Sequence, residues 1–425
     1  MEFKIDRRSF LKSGLLAGSA LAMPAIGSVS QARADDAPIK IGAIDDLTGE
    51  FAIVGTPRSH AYQLAVEEIN AAGGVLGRKL ELIQYDGQSQ VSQYPGLTQR
   101  LILGDKVDVI FAGYTSSERE AARTVSTKHQ KILWHNNQGE GGIMSKYAFF
   151  CAPMPTHQVL PGVKYMVEKF GPKIYVLAAD YGFGHITAEW TRVAAGLYGG
   201  EIIAEEFIPL SNTMYSTIIS RVQSAKPDWV MQLLIGDNQA QFYPQAASAG
   251  LKIPGLSPVI IQQGYEHKRF APPLLENVFV PVTYLEEMDS DGTKKFSEAF
   301  RAKFPDEPYI NQPALCGYVA THLMAKAWAA AGTTDTDAVI AALESDLSLD
   351  APQGKVTMDP RVHECSLPMR MARVTETHDL EWIGDLGTLE PDQWLVNDLK
   401  VDLRQANPET WYTPKDNPAF EKYLK

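Results

Sequence analysis

The chain has 425 residues and a formal net charge of −12, and 45% of its residues are hydrophobic. A chain of this length is expected to form about two to three domains, and its apolar fraction is sufficient for a large core. The acidic balance gives no electrostatic support for nucleic-acid binding, which depends on basic surfaces. The composition therefore indicates an ordinary globular protein, whose function has to be inferred from its motifs.

The N-terminal segment has the features of an export signal. Arg7 and Arg8 precede a weakly apolar stretch, and Ala32-Arg33-Ala34 supplies a small-residue cleavage site. We therefore predict that residues 1–34 are a twin-arginine export signal whose removal leaves a periplasmic protein with no stable membrane insertion. An N-terminal membrane anchor is the alternative, although the stretch is short, mild and interrupted by Pro24.

The periodicity of apolar residues predicts alternating strands and helices along the rest of the chain. The first series has strands at 39–44, 80–85, 107–112, 132–134 and 147–152 and helices at 59–72, 94–103 and 119–129. The second has helices at 159–169, 186–197, 215–224 and 239–249 and strands at 174–179, 201–207, 229–234, 259–261 and 278–282. Helices at 294–303, 313–331 and 336–344, strands at 356–358 and 368–374, and an irregular tail from 391 follow. This alternation predicts an α/β fold with a parallel sheet and helices on both faces.

The two series predict two α/β lobes. We assign residues 35–154 to the first part of lobe 1, 155–283 to lobe 2, 284–349 to the second part of lobe 1, 350–390 to a return to lobe 2 and the hinge, and 391–425 to a C-terminal extension. Several chain crossings leave a cleft between the lobes. Because clefts at domain interfaces are preferred sites for small molecules, we expect the ligand there.

The end of the predicted strand at 107–112 is the strongest local candidate for a binding site. Gly113 follows the strand, and Tyr114, Thr115, Ser116 and Ser117 then supply four hydroxyl groups in a row. Ligands of open α/β sheets lie beyond the carboxyl ends of strands, where hydroxyls and free helix N–H groups suit a carboxylate or an amide oxygen. The alternative is an ordinary helix N-cap formed by Thr115 or Ser116.

A longer pattern resembles a known family. It begins with Leu47-Thr48-Gly49, continues through the run from Leu64 to Arg78 that contains Glu68-Ile69-Asn70-Ala71-Ala72-Gly73-Gly74-Val75, and reaches Asp86. This pattern resembles the branched-chain amino acid and amide-binding proteins of bacterial ABC importers, and the likeness extends more loosely to about residue 375. The segments 113–117, 140–141, 180–181 and 350–356 look most like the urea- and short-chain-amide-binding branch. The resemblance implies a type I periplasmic binding protein fold, in which two Rossmann-like lobes are joined by a multi-strand hinge and close on a small-molecule ligand, with ABC permease subunits as partners.

The same resemblance implies which residues contact the ligand. Tyr114 and Ser116 belong to the turn that touches the ligand in this family, Tyr181 covers the ligand, and the residues after the fourth strand line the pocket. With the neighbouring helix start and two further strand ends, the predicted ligand-binding residues are Tyr114, Ser116, Ser117, His135, Asn136, Asn137, Gln138, Tyr181, Asp237, Gln262 and Gln263.

Several alternatives stay open at these positions. The run from Trp134 to Gly141 departs from the Tyr-Pro-x-x-Tyr-Glu-Gly pattern of the amide branch, which favours a larger or more polar ligand. His135 is either a ligand donor or a structural residue, and Glu140 and Asp237 either meet an ammonium group or form structural ion pairs. The rings of Tyr114, Trp134, Tyr181 and Tyr265 suit a quaternary amine if they form a cage, although Trp134 fits the core better.

The sequence contains no Gly-x-Ser-x-Gly, His-Glu-x-x-His, Walker loop or Cys-x-x-Cys pattern. We therefore predict a binding protein rather than an enzyme, without a cofactor or metal. A receptor subunit of a periplasmic sensory system is the alternative to a transport protein. Of the three cysteines, Cys151, Cys316 and Cys365, at least one must be a free thiol, and one disulfide remains open.

Overall fold

The computed structural model describes residues 37–425, so the predicted export signal lies outside the described residues. The first part of the chain forms a βα series. Its elements are β1 (Ile39–Asp45), α1 (Ala52–Ala71), β2 (Leu80–Asp86), α2 (Tyr94–Gln99), β3 (Val109–Ala112), α3 (Ser116–Lys128), β4 (Leu133–His135), β5 (Ile143–Met144) and β6 (Ala148–Phe150). A π-helical segment, Arg100–Asp105, continues α2.

A second series follows. It consists of α4 (Pro155–Phe170), β7 (Lys173–Ala179), α5 (Gly182–Tyr198), β8 (Glu201–Ile208), α6 (Ser216–Ala225), β9 (Trp229–Leu233), α7 (Asp237–Ser248), β10 (Gly255–Leu256), α8 (Glu266–Arg269) and β11 (Val278–Val282). The remaining elements are α9 (Asp291–Lys303), α10 (Gln312–Ala331), α11 (Thr336–Leu343), β12 (Ser348–Ala351), β13 (Gly354–Asp359), β14 (Glu364–Val374), β15 (Leu380–Leu389), α12 (Gln393–Asn397) and β16 (Thr410–Trp411).

The strands join in one path with the order β2-β1-β3-β4-β6-β14-β11-β10-β9-β7-β8. We call β2, β1, β3, β4 and β6 the first half-sheet and β11, β10, β9, β7 and β8 the second half-sheet. Neighbouring strands are parallel within each half-sheet, as the alternation predicted. The long strand β14 connects the two, because it pairs with β6 through Glu364 and Phe150 and runs antiparallel to β11.

Each half-sheet has its own apolar core. In the first, α10 packs against α1, so Trp328 and Tyr62 lie in one buried cluster with strand residues such as Ile41. In the second, α4 and α5 pack together, and Trp190 is buried with Val176. The predicted lobe boundaries remain a prediction.

Four local predictions need correction. Helix α1 begins at Ala52 rather than at Ser59 and includes Pro57, and its added first turns bury Val54 and Gly55. The strand predicted at 259–261 is absent from the described structure, since Ile261 has a φ of 62°, which no strand tolerates, and the strand lies at Gly255–Leu256 instead. The strands β5, β12 and β15 and the short helix α8 were missed. The tail predicted as irregular contains α12 and β16.

All three cysteines are buried free thiols, so no disulfide joins any two of them. Within residues 37–425, no helix combines the length and apolar content that crossing a membrane requires. In the same part of the chain, no group of His, Cys, Asp or Glu side chains is arranged to hold a metal ion.

Candidate functional site

The turn between β3 and α3 presents a helix N-terminus at the end of the first half-sheet. Thr115 is the N-cap, since its hydroxyl accepts the Glu118 N–H at 3.2 Å. The Glu118 carboxylate accepts the N–H groups of Tyr114 at 2.9 Å and Thr115 at 2.8 Å. Ser116 and Ser117 open the helix, so their N–H groups have no acceptor within it. The capping interpretation is therefore right for Thr115, and it leaves the Ser116 hydroxyl available for another role.

A buried ion pair between Arg58 and Asp45 supports this turn. Arg58 donates to the Asp45 carboxylate at 2.6 Å and to the Gly113 carbonyl at 3.0 Å. Burial raises the pKa of Asp45 to about 6, against the opposing effect of the Arg58 charge. Gly113 has a φ of 84° and passes so close to the backbone of Arg119 that a side chain would displace it. The start of α3 is thus fixed in position before any ligand arrives.

A small cavity lies beside this turn, where strand ends of the two half-sheets meet. It is lined by Tyr114, Ser116, Asn137, Gln138, Tyr181, Phe183, Ile235, Val259 and Gln263. The lining combines hydroxyl, amide, aromatic and aliphatic groups, none of which is charged at neutral pH, and burial raises the pKa of both tyrosines further. Such a wall suits a small molecule that is held by directed hydrogen bonds.

Three side chains form a closed hydrogen-bonded ring across the cavity. The Tyr114 hydroxyl donates to Gln263 Oε1 at 2.6 Å, and Gln263 Nε2 donates to Asn137 Oδ1 at 3.2 Å. Asn137 Nδ2 donates to the Tyr114 carbonyl at 2.8 Å. Because Gln263 follows β10 whereas the other two follow β3 and β4, the ring links the half-sheets. Buried networks with every member paired hold their geometry tightly.

Behind the cavity lies an ion pair between Arg119 and Glu140. The guanidinium nitrogens lie 3.2 and 3.4 Å from the two carboxylate oxygens, and both side chains are fully buried. Burial lowers the pKa of Arg119, but the charges of Glu140 and Glu120 outweigh it and raise the pKa. The Ser116 hydroxyl donates to Glu140 Oε2 at 2.9 Å. Glu140 is therefore a structural carboxylate that positions Ser116.

The structure brings six of the predicted residues to the cavity wall, namely Tyr114, Ser116, Asn137, Gln138, Tyr181 and Gln263. It does not bring three buried ones there. His135 contacts the Ala112 carbonyl at 3.2 Å, and burial and the Arg119 charge lower its pKa so that the ring is neutral. Asn136 and Gln262 also lie behind the wall. Asn136 donates to the Tyr62 hydroxyl at 3.2 Å, and Gln262 accepts from Gln158 at 3.2 Å.

Two predicted residues are exposed. Ser117 points away from the cavity on the surface of α3. Asp237 lines a neighbouring opening on the other side of Tyr114 and Gln263, together with Glu50. The Asp237 N–H donates to Glu50 Oε1 at 3.2 Å. Asp237 is therefore at the mouth of the site rather than inside it.

The structure does not gather the four rings of the suggested amine cage. Trp134 is fully buried and packs on Phe149 with ring centroids 5.5 Å apart. Tyr265 stacks on Tyr309 at 5.5 Å, away from the cavity wall. Sequence reasoning also missed Phe183, Ile235 and Val259, which line the cavity. Phe183 and Ile235 follow predicted strands of the second series, and this shared position was the available signal, whereas Val259 follows β10, which the sequence analysis placed at 259–261.

The chain matches the family model described as "Periplasmic binding protein" over residues 38–379. This match covers most of the sequence. The chain belongs to the periplasmic binding protein family. Its type I fold is confirmed, with two parallel half-sheets joined through a long crossing strand.

Relatives of this periplasmic binding protein agree with that assignment. A Leu/Ile/Val-binding protein homolog 8 from Brucella abortus (strain 2308) is 25% identical over 363 residues, which cover 81% of this chain and 88% of the relative. A leucine-, isoleucine-, valine-, threonine- and alanine-binding protein from Brucella ovis in a closed conformation has a TM-score of 0.76 at 18% identity, covering 84% of this chain and 97% of that one. A solute-binding protein from R. palustris in complex with benzoate has a TM-score of 0.74 at 18% identity, covering 84% and 98%. Membership of the urea and amide branch remains a prediction, as does the twin-arginine route.

Proposed function

We propose that this protein is the solute receptor of an ABC importer, which holds one small solute in the cavity between the half-sheets and delivers it to the permease. The observation that carries the proposal is the cavity itself, whose wall takes polar side chains from strand ends of both half-sheets. A ligand bound there bridges the two halves and favours their closed arrangement, which a permease distinguishes from the open one. Similar solved structures include solute-binding proteins of ABC transporters.

We infer that the solute carries a hydrogen-bond donor, for which an N–H group is suited. Gln138 is buried on the cavity wall, and its Oε1 atom has no hydrogen-bond donor among residues 37–425. A buried acceptor without a partner is costly, so a ligand that supplies an N–H group gains from meeting it. An ammonium group or a primary amide has this property.

The remaining wall favours an amino acid with a small apolar side chain. The N–H groups of Ser116 and Ser117 at the start of α3 suit the carboxylate. Phe183, Ile235 and Val259 suit an apolar side chain. The name of the Brucella abortus relative supports branched-chain amino acids. Short-chain amides and urea, which need only the amide contacts, stay within the same proposal.

A second candidate is an aromatic carboxylic acid. The rings of Tyr114, Tyr181 and Phe183 surround the cavity, and aromatic rings prefer offset or edge-to-face contacts with one another. The benzoate complex of the R. palustris protein supports this class. Both proposed ligand classes carry a carboxylate that fits the start of α3. They differ because the amino acid also carries a nitrogen and the aromatic acid does not.

The test is a thermal-shift and calorimetric screen of residues 35–425 against L-leucine, L-alanine, acetamide, urea, glycine betaine and 4-hydroxybenzoate. A ligand at about a hundred times its Kd stabilises the fold by about 2.7 kcal/mol, which such a screen detects. Ser116→Ala is expected to weaken the response, and Ser117→Ala is the matched control because its side chain is exposed on the same helix. A response to 4-hydroxybenzoate alone would select the second candidate, and no response to any compound would refute the proposed ligand classes.

The transport role has a separate test. Cells that lack this protein are expected to lose uptake of the labelled compound identified by the screen, and the purified protein is expected to return that compound chemically unchanged after denaturation. Retained uptake together with a lost transcriptional response to the compound would instead support the sensory receptor.

A further inference from the structure

The C-terminal extension, residues 391–425, lies beyond the segment that matches the family model, which ends at residue 379. It nevertheless packs on elements of both halves of the molecule. Trp394 and Leu395 of α12 are buried in the core of the second half-sheet. The chain then runs along the first half of the molecule, where it contacts β5, and returns to the second half, where it contacts α5.

The extension is tied to the loop that carries Glu140. Strand β16 pairs antiparallel with β5, placing Trp411 opposite Ile143. The Tyr412 N–H donates to the Gly142 carbonyl at 2.7 Å, and Trp411 Nε1 donates to the Gly141 carbonyl at 3.0 Å. Gly142 has a φ of 79°, and a side chain there would collide with the Tyr412 carbonyl. The loop is therefore shaped to accept the extension.

The end of the extension is anchored on the second half. Lys415 forms an ion pair with Glu189 of α5. The Phe420 ring packs edge-on against Trp190, also of α5, with centroids 5.6 Å apart. Trp190 in turn donates from its indole N–H to the Glu140 carbonyl at 3.1 Å. The extension thus runs alongside a direct contact between α5 and the Glu140 loop.

One residue connects the extension to the cavity wall. The Trp411 ring lies over the Arg119 guanidinium, 4.9 Å from its carbon to the ring centroid. Arg119 pairs with Glu140, which accepts from the Ser116 hydroxyl. Because cations bind aromatic faces most strongly when both are shielded from water, this contact stiffens the wall behind the cavity.

We propose that residues 391–425 form a strap that fastens the Glu140–Gly142 loop of the first half to α5 of the second and restrains how far the two halves separate. Opening moves α5 away from this loop, so one end of the strap must release. The strap therefore favours the closed arrangement even without ligand. Trp411 couples this restraint to the cavity wall through its contact with Arg119. This inference goes beyond the proposed function, because separation of the halves is measurable without any solute.

The test measures a distance across the molecule. Val91 and Leu210 are 42% and 44% exposed and follow the two edge strands β2 and β8. Spin labels attached to Val91→Cys and Leu210→Cys report the separation of the halves by pulsed electron paramagnetic resonance. The three native thiols are buried, so the label reacts with the introduced cysteines. One strap variant combines Lys415→Ala with Phe420→Ala, and the other is Trp411→Leu. Trp411→Phe keeps a ring over Arg119 but loses the bond to the Gly141 carbonyl. Lys425→Ala is the matched control, because it removes an ion pair with Glu421 inside the extension.

Both strap variants are expected to shift the ligand-free distribution to longer and broader distances, whereas Trp411→Phe shifts it less than Trp411→Leu and Lys425→Ala retains the wild-type distribution. Circular dichroism and thermal unfolding confirm that each variant is folded. If Trp411→Leu does not fold, the paired variant decides, since the Lys415 side chain is 65% exposed. Wild-type distances in the folded strap variants would overturn the proposal. Adding L-leucine and then 4-hydroxybenzoate tests the proposed function independently, because a lack of ligand response leaves the ligand-free comparison intact.

Discussion

At the scale of single residues, buried charges decide how the cavity wall is built. Arg119 and Glu140 are 21 residues apart in the sequence, yet they meet with both side chains fully buried. Removing one partner of such a pair leaves the other charge unpaired away from water, which is more damaging than losing a surface ion pair. The sequence left two roles open for Glu140, and only the position of Arg119 distinguishes them.

Glu140→Gln is expected to destabilise the protein by roughly 3 kcal/mol, because it removes one of the two carboxylates that pair with the buried Arg119 guanidinium and leaves it with Glu120. The matched control is Glu381→Gln, since Glu381 pairs with Arg373 at the surface, where such pairs contribute about 0–1 kcal/mol. Urea unfolding of both variants measures the difference. Equal losses in the two variants would contradict the structural role assigned to Glu140.

The pH dependence of stability has an identifiable contribution from His157. Burial lowers the pKa of His157 from 6.5 to about 4, and its Nδ1 atom accepts the Met154 N–H at 3.0 Å. In the unfolded chain His157 is therefore protonated below pH 6.5, whereas in the folded chain it is protonated only below about pH 4. The stability from this group is present above pH 6.5 and is lost as the pH falls towards 4, by roughly 3 kcal/mol in all.

His157→Asn retains an acceptor for the Met154 N–H but does not titrate. Urea unfolding at a series of pH values between 4 and 7 is expected to show a shallower rise in stability for this variant than for the wild type. Asp45, whose pKa is raised to about 6, contributes with the opposite sign in both proteins and cancels in the comparison. If the free energy of unfolding changes with pH by the same slope in both proteins, His157 does not have the assigned role.

At the scale of elements, helix caps were predictable and strand ends only in part. The hydroxyl cluster at 114–117 correctly indicated a helix start, because the capping bonds join residues that are three apart. The strand predicted at 259–261 failed because an apolar run is also typical of a buried turn, and the left-handed backbone of Ile261 depends on its neighbours. Val259 nevertheless reaches the cavity from that turn.

Loss of the cap on α3 is expected to affect both stability and binding. Thr115→Ala removes the acceptor for the Glu118 N–H, and substitutions of this kind cost about 1 kcal/mol. Ser290→Ala removes the equivalent cap of α9, which is remote from the cavity lining. Unfolding experiments should show similar losses for the two variants, whereas calorimetry with the compound found by the screen should show weaker binding only for Thr115→Ala. Weaker ligand binding in both variants would mean that loss of any helix cap lowers the affinity, rather than loss of the α3 cap in particular.

At the scale of the whole molecule, the ring of Tyr114, Gln263 and Asn137 links the two halves across the cavity. Each such contact shifts the balance between open and closed arrangements by its difference in free energy between them. The C-terminal strap acts on the same balance from outside the cavity. Ligand affinity therefore depends on residues that never touch the ligand.

Tyr114→Phe removes the bond to Gln263 and keeps the ring. We expect it to lengthen the ligand-free distance between the labels at positions 91 and 210. Tyr62→Phe is the matched control, because the Tyr62 hydroxyl accepts from Asn136 within the first half and, among residues 37–425, has no bond to the second half. A distribution that Tyr114→Phe leaves unchanged would show that this ring does not hold the halves together.

By itself, the sequence determined the alternation of strands and helices, the cap of α3 and the candidate strand ends, because these follow from residues that are neighbours along the chain. Only the tertiary structure decided that Gln138 and Gln263 reach the cavity while His135 and Gln262 lie behind it. The direction of a side chain at a strand end depends on the turn that follows, and that turn is set by packing. The same holds for residues 391–425, whose place against Gly142 and α5 depends on contacts between distant parts of the chain.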